Sequence, residues 1–170
     1  MTDRPLSSRE RVSQSISGGF VDRIPKGELC ITDDVISRTG STVVHFEERV
    51  AFVRNLGLDL VTLSPDYLEG GHKMPSLSHT VWPDLDHWRL QTPLFLFVIL
   101  DGAFEWGLRV FQPTDFLIRL VKDPDSLLGF IYQIEDFNLS MVERLVSHGI
   151  DGVILADDIA TQNSLYVRPQ

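Results

Sequence analysis

Apolar positions cluster in four short segments that read as strand candidates, and the stretches between them carry apolar residues at helical spacing. The first run is Gly27–Thr32 (GELCIT), entered through the rigid Pro25. Ser41 or Thr42 is placed to cap a helix reaching about Leu56, with Phe46, Val50 and Val53 as its stripe and Gly57 just past its end. Asp59–Ser64 (DLVTLS) reads as a strand buried on both faces. A long connection from Pro65 to Pro93 follows, holding Gly70-Gly71 and a short helix near Asp84–Leu90. Leu94–Leu100 (LFLFVIL) is the strongest strand signal. Asp101 then caps a short helix to Phe111, with Phe104, Leu108 and Phe111 inward, and Thr114 opens another to about Val121. The longest helix has Asp123 as cap and Pro124 in its first turn, and Gly149 ends it. Leu127, Ile131, Ile134, Met141 and Leu145 form its inward face, and Gly129 admits a kink or close contact. Asp151–Ala156 (DGVILA) is the fourth strand. The alternation predicts an α/β domain with a parallel sheet of four strand–helix units, preceded by an arm with a short helix over residues 1–24.

Composition narrows the class. A length of 170 residues suits one domain, and 43% hydrophobic residues exclude disorder for most of the chain. The longest apolar run, Leu94–Leu100, is far short of the roughly 20 residues that span a bilayer. The opening MTDRPLSSRER has no signal-peptide core. A net charge of −9 argues against general nucleic-acid binding. The expectation is a soluble, cytoplasmic protein with no nucleic-acid or membrane partner. A single cysteine, Cys30, excludes an internal disulfide and a Cys-rich zinc site.

Three segments carry a family likeness: RERVSQSISGGFVDRIPKGEL at Arg9–Leu29, VILDGAFEWGLRVFQPTDFLIRLVKDPDSL at Val98–Leu127, and HGIDGVILADDIATQNSLYVRP at His148–Pro169. In this order and spacing the chain resembles the uroporphyrinogen decarboxylase family, including its relatives that transfer methyl groups with corrinoid proteins. The resemblance implies half of a TIM-type (β/α)8 barrel, because the family fold is about twice this length and such barrels need about 250 residues. A half-barrel has two open edges, and Val61, Leu63, Phe95, Phe97, Val153 and Leu155 cannot all be covered by its own helices. The chain is then a cut piece or truncated product, or it pairs as a homodimer or with a complementary half-barrel. The family's decarboxylase grips substrate carboxylates with arginines after the first strand. Here that stretch reads ITDDVISR, with only Lys26 and Arg38 nearby and Asp33-Asp34 added. The departure favours the methyltransferase-type branch, as a half-barrel inactive alone. The decarboxylase itself and a non-catalytic binding module stay open, and so does enzyme status. A tetrapyrrole or corrinoid is the implied ligand. The branch's zinc ligands belong to a second half, so no metal ligand or cofactor is expected in this chain.

Chemistry in such a barrel sits at the C-terminal strand ends. These carry Asp33, Asp34, Ser64, Asp66, Asp101, Asp157 and Asp158, a crowd of carboxylates able to raise one pKa for general-acid work. Asp and Ser after a strand are equally standard helix caps. Asp66 falls where the family places its catalytic aspartate, so Asp66, Asp101 and Asp158 are the catalytic candidates, with Asp157 and Gln162 as ligand-binding candidates. His72, His79 and His87 match no zinc spacing and read as solvent-exposed. Cys30, mid-strand, reads as a buried inert thiol. Trp82, Trp88 and Trp106 either pack ordinary cores or line a flat tetrapyrrole pocket. Asp22-Arg23 reads as an ion pair anchoring the arm, and Gly18-Gly19, with no preceding strand, is no phosphate cradle.

Overall fold

A computed structural model describes residues 4–39, 44–69 and 72–167. The helices are α1 (Ser8–Ile16), α2 (Asp33–Ser37), α3 (Phe46–Asn55), α4 (Leu85–Gln91), α5 (Ala103–Val110), α6 (Pro113–Lys122) and α7 (Leu128–Ser147). The strands are β1 (Leu60–Leu63), β2 (Asp66–Tyr67), β3 (Thr80–Val81), β4 (Phe95–Asp101) and β5 (Gly152–Ala156). β1, β4 and β5 form a three-stranded parallel sheet in that order, and β2 pairs antiparallel with β3. The fold is therefore α/β, with three parallel strands among the described residues where the sequence predicted four. No helix among them is long and apolar enough to cross a membrane.

The missing strand is GELCIT. Asp59 N–H donates to the Lys26 carbonyl at 2.8 Å, and Gly27 lies so close to Leu60 that any Cβ would collide with its side chain. Beyond that single rung no ladder forms, and Glu28, Leu29 and Cys30 are exposed. A strand is defined by its neighbour's backbone as much as by its own apolar residues, and one rung does not propagate. Cys30 is consequently an exposed thiol, not the buried one its place in a strand implied.

The chain divides into two compact units. The first comprises residues 1–64, 82–98 and 149–152. Its core joins Val53, Leu58, Val61, Trp88, Leu94 and Leu96, with Phe46 set edge-on to Trp88 at 5.0 Å. α3 starts at Phe46 and not near residue 41: His45 is its N-cap, and the Glu48 carboxylate accepts His45 N–H at 2.9 Å. Ser41 and Thr42, the expected caps, lie outside the described residues. Gly57 follows the helix at φ +68°, the left-handed position glycine fills without strain.

An ion network fastens α1 in this unit. Asp59 is fully buried and accepts from Arg11, Arg23 and Ser8 side chains and from Lys26 N–H. Burial alone pushes its pKa up, but these donors, Arg23 foremost, outweigh it and hold the carboxyl below its ordinary range. Arg11 also grips Asp22, whose pKa is lowered chiefly by that contact. Arg9 donates to Asp151 at 3.0 Å, and the same Asp151 oxygen accepts Leu96 N–H. The sequence neighbours Asp22 and Arg23 do anchor the arm, but their side chains pair with Arg11 and Asp59 and not with each other.

The second unit comprises residues 65–81, 99–148 and 153–170. Phe104, Phe116 and Leu127 centre its core, flanked by Leu108, Phe111, Leu117, Leu120 and Ile131. Gly107 lets the α5 backbone pass the Phe116 ring, which a Cβ there would strike. α7 buries Ile134, Phe137, Met141 and Leu145 after a 3-10 turn at Pro124–Leu127. Of the strand residues expected to lack cover, Val61 and Phe95 are buried, Leu63, Phe97 and Val153 are half-buried, and Leu155 is 62% exposed.

Candidate functional site

In the second unit, buried Asp101 closes β4. Its Oδ2 accepts the Tyr67 hydroxyl at 2.7 Å and an Arg109 guanidinium N–H at 2.6 Å. Asn138 Nδ2 donates to the Asp101 carbonyl at 3.0 Å, fixing the strand end from α7. β2 supplies Tyr67, and α5 supplies Arg109 together with Trp106 one turn earlier. Tyr67 meets Trp106 edge-on at 4.8 Å, and the Arg109 guanidinium lies 5.1 Å over the Trp106 ring and 5.6 Å over Tyr67.

Burial, with the Asp101 contact second, pushes the Tyr67 pKa well above that of a free phenol, against the opposing pull of Arg109. Tyr67 is thus a neutral donor at physiological pH. Both side-chain donors fall on Oδ2, and none among the described residues reaches Oδ1. Asp101 therefore presents one oriented, uncommitted carboxylate oxygen, able to accept a hydrogen bond or face a cation. Trp106, 2% exposed, and Asn138 carry a buried N–H and a buried amide oxygen without partners.

The other candidates separate. Asp101 does not cap α5; Gly102 is the N-cap, and Asp157 provides the carboxylate, accepting Glu105 N–H at 2.9 Å. Only glycine fits at 102, because a Cβ would strike the Asp157 carboxyl, while Gly102 N–H donates to the Ala156 carbonyl at 2.7 Å. Asp157 thus takes the capping role open to it from the sequence. Asp66 is exposed, and strand alternation sends its side chain away from the direction of Tyr67, which is the residue that reaches Asp101. Asp158 and Gln162 are exposed and make no side-chain hydrogen bond among the described residues.

Tyr67 and Arg109 were absent from the sequence-derived set. The one available signal was the i, i+3 pairing of Trp106 with Arg109 on the helix after Asp101. His72, His79 and His87 are exposed, as their spacing suggested, and His72 Nδ1 lies 2.7 Å from the Arg109 carbonyl. Trp82, Trp88 and Trp106 are all buried, Trp88 in the core of the first unit and Trp106 against Tyr67 and Arg109 in the second. Among the described residues no group of three or more His, Cys, Asp or Glu is gathered to hold a metal. Comparison with family models, curated proteins and solved structures finds no match to this chain.

Proposed function

We propose that the chain is an N-terminal half-barrel of the uroporphyrinogen decarboxylase type, of the branch that transfers methyl groups with a corrinoid partner. It is inactive alone and completed by a second copy or a complementary half-barrel. The observation that carries this reading is the sheet. Three parallel strands stand side by side in chain order, β1, β4, β5, as in a (β/α) barrel, and a buried, aromatic-flanked carboxylate closes the central one. A doubly wound sheet reverses its strand order at the ligand crevice instead.

The absence of an arginine grip favours methyl transfer over tetrapyrrole decarboxylation. Asp33, in the stretch after GELCIT, is itself engaged by Arg49 at 2.9 Å. A polycarboxylate would meet carboxylates there. In this reading Asp101 and Tyr67 orient the ligand, Asp157 holds the helix whose start borders it, and a zinc site belongs to the completing half. Cytoplasmic residence follows from such a role.

The test is equilibrium dialysis of the chain against methylcobalamin and against uroporphyrin, at concentrations where light scattering shows a completed species. Methylcobalamin is expected to be retained, with Asp101→Asn weakening it about tenfold, or 1.4 kcal/mol. Conversion of uroporphyrinogen, or a lasting monomer at micromolar concentration, overturns the reading. Loss of binding in Asp66→Asn or Asp158→Asn but not in Asp101→Asn moves the site to those residues.

A further inference from the structure

The first unit holds a cavity of about 240 Å³ that the strand-end cluster does not use. All of Leu60, Val61, Thr62, Leu63 and Ser64 line it. Side chains alternate between the two faces of a strand, so a space touching five consecutive residues lies along the strand's backbone edge. β4 occupies the other edge of β1, where Phe95 N–H donates to the Asp59 carbonyl. By alternation Val61 and Leu63 also face β4, and the N–H and C=O groups of Leu60 and Thr62 face the cavity. Among the described residues nothing pairs with them. Opposite, the undocked segment contributes Cys30 and Ile31, and Val53 and Trp88 close the apolar floor.

Charge selects the occupant further. Arg49 is the one cation of the lining, and it already holds Asp33 at 2.9 Å and Asp84 at 2.7 Å. Asp84 and Glu28 stand in the wall. A ligand carboxylate finds no free cation there and meets two acids. We propose that this cavity binds a small, planar, uncharged amide, whose N–H and C=O complete the hydrogen bonding of the outer edge of β1 while its apolar body rests on Val53 and Trp88. An amide matches the edge because it offers one donor and one acceptor, as a neighbouring strand does.

Cys30 is the chain's single cysteine and is exposed in the lining, so it reports on the site. The rate of its modification by uncharged methyl methanethiosulfonate is followed by mass, with benzamide as probe and benzoate as its anionic isostere. Benzamide is expected to slow the reaction saturably, about tenfold when present at about ten times its dissociation constant, and benzoate to leave it unchanged. Thr62→Pro removes one N–H from the outer edge, where proline is tolerated, and should abolish protection with unchanged circular dichroism. If that variant fails to fold, Ile31→Trp, which fills the space from the unpaired segment, decides instead and should likewise abolish protection. Equal protection by benzoate, no protection by benzamide, or protection that survives the deciding variant overturns the proposal. So does a Cys30 inert in the native chain but reactive in urea, which means that residues 27–32 close onto β1 and leave no site.

Discussion

Two carboxylates, Asp59 and Asp101, are both buried and both bound by arginine, yet their surroundings differ in completeness. Asp59 receives three side chains and a backbone N–H spread over both oxygens. Asp101 receives two donors on a single oxygen, beside a Trp106 N–H and an Asn138 oxygen that have no partner. A buried polar network stabilises when every member is satisfied, and each buried group left without a partner costs stability. The first group is satisfied within the fold, and the second leaves polar atoms without partners among the described residues.

The harshest way to break that contrast is Asp59→Ala. It takes the buried partner from Arg11, 6% exposed, leaving it Asp22 and the Leu6 carbonyl, and leaves Arg23 without its carboxylate, and should cost about 3–5 kcal/mol in urea unfolding. A loss below about 1 kcal/mol would show that the network is not what fastens α1. Acid probes the same group. Its folded pKa is depressed, so its contribution is present above the ordinary carboxylate range and is lost as pH falls through the folded value. Unfolding free energy should therefore drop below about pH 4, and Asp59→Asn should flatten that drop. Tyr67→Phe removes one donor from Asp101 while Arg109 remains, and should cost about 1–2 kcal/mol in stability. Smaller still, Gly102→Ala should displace the Asp157 carboxyl and cost about 1 kcal/mol, the size of a lost cap. Asp158→Asn, on an exposed residue, should stay within about 0.5 kcal/mol by the same assay.

What the sequence made legible follows from how local each feature is. The runs 59–64 and 151–156 contain β1 and β5, and 94–100 covers β4 up to its last residue, Asp101, because continuous apolar residues need cover on both faces and a parallel sheet supplies it. The stripe of α7 was equally readable, apart from Phe137. GELCIT failed because pairing is decided by what lies alongside, and the one backbone rung, from Asp59 N–H, falls on Lys26 just ahead of it. In the candidate site, Asp101 was visible as a polar residue ending an apolar strand. Tyr67 and Arg109 were not, since Tyr67 sits 34 positions from Asp101 and nothing in the local pattern joins them. The Asp22-Arg23 pair carries the same lesson: their true partners lie 11 and 36 positions away.

The clasp between Arg9 and Asp151 spans 142 positions, and both residues belong to the first unit. A ribosome adding about 5–20 residues per second needs about 7–28 s to cover that interval. Through all of it the nascent α1 waits without its last ion pair, and over the last 55 positions the Leu96 N–H that shares Asp151 waits as well. The first unit is thus begun early in translation and closed late, leaving a window in which a chaperone or a second nascent chain meets it unlatched.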